Sequence, residues 1–506
     1  MCLAGYLNHV QAQQKNPLRV ELNANLDMED YSLVPCGENG ILVFFESDTK
    51  GSDIDTRIWH FAFYSRNLQQ LWLADTALIT GVKYKGYSSD GQNTYLIFLD
   101  VDRQKSTNNL QILKIDYQLN EFGILSLQAP EKSEPVHFSI HDGNAIIAYN
   151  NSKFEPHIQI IDLSDGSSKL VTLELEGLNI IQELSFDLDD NAVYAVVENY
   201  ISKLQNAILI VQMDQSGGIE RTFSINPAIE KKVINQARIA YMGGDTLLVM
   251  GTYSNEASKL ADARDETGPE TAGYFITRFE GDKEIFIHYY NFLEFKEMYR
   301  ALSSKTVADL RIKAEKQKSK GEEYSLDYTL LLHDIIQYKG NYVILSEAYF
   351  PEYRTVTNMY YDYYGRPIPQ TYTVFDGYNF ISGIAAAFTP DGKLVWDDGI
   401  EIRNILTFNL AKYMESFVGG EDLAFFYSAE DKLYYKIAGS PETGNVLQNI
   451  SIESQYKGDK VMEDLGSKMI HWYKNYFICY GYQKIKNNRI SGGKRTVFYF
   501  NKLAFN

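Results

Sequence analysis

The stretch from Asn179 to Pro227 constrains this chain most, because it is a unit that recurs. It reads IIQELSFDLDD, NAVYAVVENY, NAILIVQMDQSGG and IERTFSI, four short segments rich in β-branched and aromatic residues with turn residues between them. Apolar and polar residues largely alternate within each, which is the period of a half-buried strand. Four such strands at this spacing predict one four-stranded antiparallel sheet.

The same unit starts again at Tyr31, Gly81, Pro135, near Val233, at Tyr328, near Phe408 and near Lys468. A long internal repeat overrides the length prior of about three domains for such a chain. The last repeat holds only three strands before Asn506, and the segment Pro17–Leu26 (PLRVELNANL) alternates like a strand but has no hairpin partner nearby. Pairing that first strand with the last repeat closes a ring and removes exposed edges. The prediction is an all-β, eight-bladed β-propeller closed by an N-terminal strand, with seven blades as the alternative. Residues 17–506 then form a single domain. Turn pairs fall between the strands, at Asp142-Gly143, Asp165-Gly166, Gly243-Gly244, Asp391-Gly392 and Gly419-Gly420.

Three segments exceed what a ring of short strands needs: 255–273, 294–323 and 351–379. In a propeller the loop between second and third strands and the connection between blades emerge on one face. All three insertions therefore belong to one sector of one face, in blades 5 and 6. The segment 294–323 is predicted to be helical from the spacing of Phe295, Met298, Tyr299 and Leu302, then Val307, Leu310 and Ala314, with Ser303-Ser304 between two helices. Its end carries Arg311, Lys313, Lys316, Lys318 and Lys320, a basic cluster on an acidic chain. The segment 351–379 reads as a loop with Tyr353, Tyr360, Tyr361, Tyr363, Tyr364, Tyr372 and Tyr378. Tyrosine offers large area at low entropic cost and a polar tip, which suits recognition surfaces. The candidate partner-binding residues are Tyr353, Tyr360, Tyr361, Tyr363, Tyr364 and Tyr372, with Lys313 and Lys316 beside them. The competing expectation is that the loop folds back and packs its own rings, and that the lysines are a solvated helix face.

The net charge of −18, from 48 basic and 66 acidic residues, disfavours binding to phosphate backbones, so no nucleic-acid partner is expected. No apolar run reaches the ~18 residues of a membrane helix. Residues 1–16 read as a signal remnant or a disordered terminus, with Val10-Gln11-Ala12 offering small residues where signal peptidase cuts. Cys2, Cys36 and Cys479 are too widely spaced for a zinc ribbon or a CxxC motif and are expected as buried free thiols. No phosphate-binding loop, GxSxG elbow or HExxH helix is present. His137 and His141 share a strand without an evident third metal ligand. Asp187 to Asn191 with Glu198 imitates a calcium loop, but Ala192 stands where that loop needs glycine. No cofactor, metal site or catalytic residue is assigned.

The segment AAAFTPDGKLVWDDG, Ala385–Gly399, resembles the hairpin of exported bacterial β-propeller proteins. That resemblance implies a propeller scaffold outside the cytoplasm. The expected function is a non-enzymatic interaction module, an exported accessory subunit of a cell-envelope complex whose partner is another protein, possible components of a membrane complex included. The alternatives are a carbohydrate-binding or carbohydrate-active enzyme with a central funnel, and a cytoplasmic scaffold. Converging carboxylates with aromatics in the centre favour the funnel reading.

Overall fold

The computed structural model describes residues 18–26, 30–53, 55–100, 108–117, 120–187, 191–202, 205–225, 232–255, 270–301, 304–319, 325–326, 328–438, 447–489 and 493–505. The candidate signal at 1–16, Cys2, Lys320, most of 255–273 and the Leu188–Asp190 part of the calcium-like loop lie outside the described residues. The described strands fall into eight antiparallel sheets. Sheet 1 runs from Ser32–Pro35 to Gln70–Ile79, sheet 2 from Val82–Ser89 to Glu121–Ala129, and sheet 3 from Ser133–His141 to Ser168–Thr172. Sheet 4 runs from Leu178–Asp187 to Ile219–Ile225, sheet 5 from Val233–Tyr241 to Lys283–Asn291, and sheet 6 from Thr329–Leu332 to Leu394–Thr407. Sheet 7 runs from Glu415–Gly419 to Gln448–Ser451, and sheet 8 takes Lys468–Tyr473, Tyr476–Lys486 and Lys494–Ala504.

Second strands are buried on both faces where they lie within the stack of sheets, as in Thr94–Asp100, and last strands are more exposed, as in Glu121–Ala129. First strands lie against one another: those of sheets 2 and 3, 3 and 4, 4 and 5, and 5 and 6 are neighbours, and Lys468–Tyr473 touches the first strands of sheets 7 and 1. The sheets therefore converge on their first strands, which is the layout of a β-propeller. Buried clusters fill the gaps between consecutive sheets. Phe44 and Phe61 meet Leu96 and Phe98 between sheets 1 and 2, and Phe425 and Tyr427 meet Val343 and Leu345 between sheets 7 and 6. A further cluster joins Ile41 and Val43 of sheet 1 to Trp472, Ile478 and Phe498 of sheet 8, where the Trp472 indole donates to the Gly40 carbonyl at 2.9 Å.

The outermost strand of sheet 8 is the first among the described residues. Leu18–Asn23 pairs antiparallel with Lys494–Ala504, from Leu18↔Lys502 to Asn23↔Val497. Arg19 lies over the Tyr499 ring at 4.2 Å and donates to Gln483 and Asn501, while Glu21 accepts from Arg495, which also holds Asp459 at 2.5 Å.

Two boundaries differ from expectation. The first strand of sheet 7 begins at Glu415 instead of near Phe408, because the Glu347 carboxylate accepts the amides of Tyr413 and Met414 and holds the lead-in outside the sheet. Sheet 8 carries an extra strand, Lys460–Asp464, on the same edge as Lys468–Tyr473.

Close backbone packing gives one direct test. Gly251 pairs with Ala237, and a Cβ there would sit 1.9 Å from the Gln236 carbonyl oxygen. Backbone cannot yield as a flexible side chain can, so Gly251→Ala is expected to lower stability by about 1–3 kcal/mol in urea unfolding.

Candidate functional site

The segment 351–379 is not a loop. The second and third strands of sheet 6, Asn341–Tyr361 and Pro367–Phe388, run on as one long hairpin. Thr355, Val356 and Thr357 face Thr373, Tyr372 and Thr371 across it, a β-branched and aromatic pairing that favours extended chain. The tip is Asp362 to Arg366, where the Asp362 carboxylate accepts the amides of Tyr364 at 2.9 Å and Arg366 at 2.7 Å, and Gly365 supplies the positive φ of 75°. The first strand of the sheet pairs only as far out as Tyr349 and the fourth only to Tyr378. Beyond them the two strands project as a bare ribbon of about 30 Å.

The expected tyrosines do not form one surface. Residues paired across the ladder share a face, so Tyr353, Met359 and Tyr361 lie on one side with Pro367, Pro369 and Phe375. Tyr360 lies on the other with Ile368 and Tyr372, whose hydroxyl accepts from Asn358. Tyr363 and Tyr364 stand at the tip in edge contact, and Arg366 lies over Tyr364. Exposure is high at Tyr360, Tyr361, Tyr363 and Tyr364, at 53%, 72%, 96% and 79%. The rings are not folded back onto the blade.

The second insertion is helical only in part. The helix is Ser304–Ser319, and the preceding residues make single 3-10 turns at Phe292–Glu294 and Met298–Ala301. Phe295, Met298, Leu310 and Ala314 are buried against sheets 5 and 6, which is why the amphipathic spacing was readable. Lys313 and Lys316 lie on the exposed side of the helix.

A second assembly was missed from sequence. The first strands of sheets 2 to 5 each carry a register shift, skipping Lys85, Val136, Gln182 and Asn235. In sheet 6 the first strand breaks between Leu332 and Ile336. Bulges re-aim side chains, and Glu183 and Arg238 lie on two of these bulged strands. Arg238 Nε lies 3.0 Å from Glu183 Oε2 and 3.9 Å from Asp334, and Lys412 Nζ lies 3.1 Å from Asp334. This chain of charges crosses sheets 4, 5, 6 and the lead-in to 7. The Arg238–Glu183 contact is an ion pair without a directed hydrogen bond, so Glu183 Oε2 and Arg238 Nε stay unsatisfied, as does His137 Nε2. Behind it, Glu347 is fully buried and accepts from His333 at 2.6 Å and from two backbone amides. Truncating Glu347 to Ala orphans three donors, and about 3 kcal/mol of stability or more should be lost in urea unfolding.

Environment sets the protonation of this centre. Burial pushes Glu183 up to about 7, with Asp334 adding to the rise and Arg238 and Lys412 opposing it. Burial also pushes Glu415 up to about 7, helped by Glu347 and Asp334. Surrounding protein works to raise Asp334, but its side chain is largely exposed, and Lys412, Arg238 and His333 hold it below the usual carboxylate range. Burial brings His137 down to about 4; its ring lies tilted against Phe186, on which His141 stacks. Among the described residues no group of three metal-ligating side chains forms. Cys36 and Cys479 are free, buried thiols, both pushed up to about 11 by burial.

These directions make a pH prediction. A carboxylate raised from 4.5 to about 7 binds more protons folded than unfolded between those values, so its contribution to stability falls as pH rises through that window. His137, lowered from 6.5 to about 4, works in the opposite sense, adding stability as pH rises between those values. The two acids are isolated by difference. The variant Glu183→Gln/Glu415→Gln should gain on the parent protein by about 1.4 kcal/mol or more between pH 5 and pH 8 in urea unfolding, one pKa unit being worth about that much. A constant offset across pH would show that neither acid is raised.

No family model matches the chain, and no curated protein does. Among solved structures it is similar to the β-propeller domain of the trilobed protease from Pyrococcus furiosus, at 12% identity over 83% of this chain and 93% of that one, with a TM-score of 0.34. It is similar to a prolyl endopeptidase at 10% identity, covering 90% of this chain and 55% of that one, TM-score 0.39. It is similar to polysaccharide lyase Uly1 at 10% identity over 95% and 100% of the two chains, TM-score 0.40. Likeness this distant says nothing about activity; the resemblance is to β-propellers in general.

Proposed function

We propose that the protein is a non-enzymatic interaction module, an eight-bladed ring closed by Leu18–Asn23 that docks another protein through the projecting hairpin of sheet 6. The observation that carries this reading is the ribbon itself. An isolated two-stranded ribbon is marginal in water, and this one keeps Tyr353, Met359, Tyr361 and Ile368 exposed on its two faces. Lys313 and Lys316 supply a flanking contact for acidic groups on the partner. The ring count is supported by eight sheets and by the cluster that joins sheet 8 to sheet 1. Export and membership of a cell-envelope complex are part of the proposal and rest on the resemblance of Ala385–Gly399 to exported propellers. The test is affinity purification from native cell envelopes with the intact protein and with a variant whose residues 352–376 are replaced by a short turn. A partner retained by the first and lost by the second supports the reading, and equal recovery overturns it. Fractionation of the native cells tests the location.

A second reading has its own observation. Glu183 and Asp334 converge on Arg238 where the first strands meet, and a pair of carboxylates suits a carbohydrate-binding or carbohydrate-active site. It ranks second because Arg238 and Lys412 already engage two of the carboxylates. Depolymerisation or retention of an acidic or neutral polysaccharide, lost in Asp334→Asn, would favour it over the hairpin.

A further inference from the structure

A cavity of about 690 Å³ lies at the seam where the closing strand of sheet 8 meets sheet 1. One face of sheet 1 makes its floor. Phe45, His60 and Asp75 pair in register across three strands, and Val43, Ala62 and Leu73 pair in the same way two residues along. Residues two apart on a strand share a face, and all six line the cavity. Leu22 of the closing strand and Tyr31 complete the lining from the side of sheet 8. The Tyr31 ring stacks on Phe498 at 5.0 Å and lies tilted against Phe45 at 4.7 Å, and its amide donates to the Tyr482 hydroxyl at 2.6 Å. The His60 ring lies 5.2 Å from Phe45, and its Nδ1 is 2.6 Å from Asp75 Oδ1. Leu73 and Asp75 are both exposed, so the cavity opens to solvent along the outer strand of sheet 1. Asp75 is the carboxylate of a mostly apolar lining that holds no lysine or arginine among the described residues.

We propose that this cavity binds an arylalkylamine, a small molecule with an aromatic ring at one end and a protonated amine at the other. Its volume lies in the range of small-molecule sites, about 300–1,000 Å³, and such sites combine apolar walls with a few polar groups. Aromatic rings pair at centroid distances of about 4.5–7 Å, and Tyr31, Phe45 and His60 already form a row at such spacing that a ligand ring can extend. The ammonium belongs at Asp75, whose Oδ1 orients His60 and whose Oδ2 has no partner among the described residues. A carboxylate with no lysine or arginine beside it in the lining attracts a cation and repels an anion. A sugar would set many of its hydroxyls against Val43, Ala62 and Leu73, where they find no partner. The site shares no residue with the hairpin of sheet 6, so the two proposals stand or fall separately.

The experiment is calorimetric titration of the full chain with phenethylamine hydrochloride, with phenethyl alcohol as its uncharged counterpart and hydrocinnamate as its anionic one. Saturable phenethylamine binding is expected, weakened by about tenfold or more in Asp75→Asn and by about threefold or more in Leu73→Ser, with both counterparts binding at least about tenfold more weakly. Both substituted side chains are exposed, melting curves check that each variant folds, and either variant stays informative if the other does not. Hairpin variants serve as controls that should bind normally. Absence of saturable binding, equal affinity for either counterpart, or unchanged affinity in a folded variant overturns the proposal. Cellobiose binding more tightly than phenethylamine and displacing it would also overturn it, in favour of a sugar site.

Discussion

Deleting residues 1–28 is expected to cause aggregation or a drop in melting temperature of more than about 10 °C, the largest effect anticipated for this chain. The deletion strips Leu18–Asn23 from Lys494–Ala504 and leaves an outer strand of sheet 8 unpaired. An exposed edge is a template for pairing with other chains. The loss goes beyond ladder hydrogen bonds. Glu21 is 4% exposed and Asp459 is 0%, and both are held by Arg495. Without Glu21, Arg495 keeps one of its two carboxylates, and without Arg19, Gln483 and Asn501 lose their donor. Breaking a buried ion pair by removing one partner costs about 3–5 kcal/mol. A milder probe, Glu21→Ala, should reproduce part of the loss with the ladder intact. An unchanged melting temperature on deletion would show that the N-terminal strand does not hold the ring.

The second large effect is on binding. Replacing Tyr360, Tyr361, Tyr363 and Tyr364 by Ser is expected to reduce partner capture more than about tenfold, hot-spot truncations commonly costing about 2 kcal/mol or more. Melting should be nearly unchanged, because all four rings are at least half exposed. The ladder geometry sharpens this into a comparison. Tyr360 and Tyr361 lie on opposite faces, so one of the two single variants should carry most of the loss if the partner covers one face. Equal losses point to a partner that grips the tip, where Tyr363 and Tyr364 meet. Full binding by the quadruple variant would remove the hairpin from the interface.

The difference between what was readable and what was not follows from range. The strands of sheets 1 to 5 begin within about two residues of the sequence expectation, because each is set by alternation over a few neighbours. Sheet 7 departs because a carboxylate on another sheet, Glu347, captures the amides before Glu415. The repeat layout places 351–379 between the second and third strands of its unit, and nothing in that layout says that the two strands run on through it. The Thr355–Thr357 and Thr371–Thr373 pairing that extends the hairpin depends on register, which no local window contains.

Period-two hydrophobicity and turn residues act over short range, so they suffice to mark the four-strand unit, its repetition and the lone strand near the N-terminus. Composition also located the tyrosines and the basic helix as unusual segments. Which tyrosines share a face emerges with strand pairing, because the pairing register sets the face of each side chain. Only the tertiary structure assembled the central charges. Glu183, Arg238, Asp334 and Lys412 are ordinary residues on four separate stretches of chain, and they become one cluster because the first strands of sheets 4, 5 and 6 lie side by side and the lead-in to sheet 7 reaches them. Electrostatics then does what no local pattern announces: burial and like charge raise Glu183 and Glu415, while the cations between them keep Asp334 ionised.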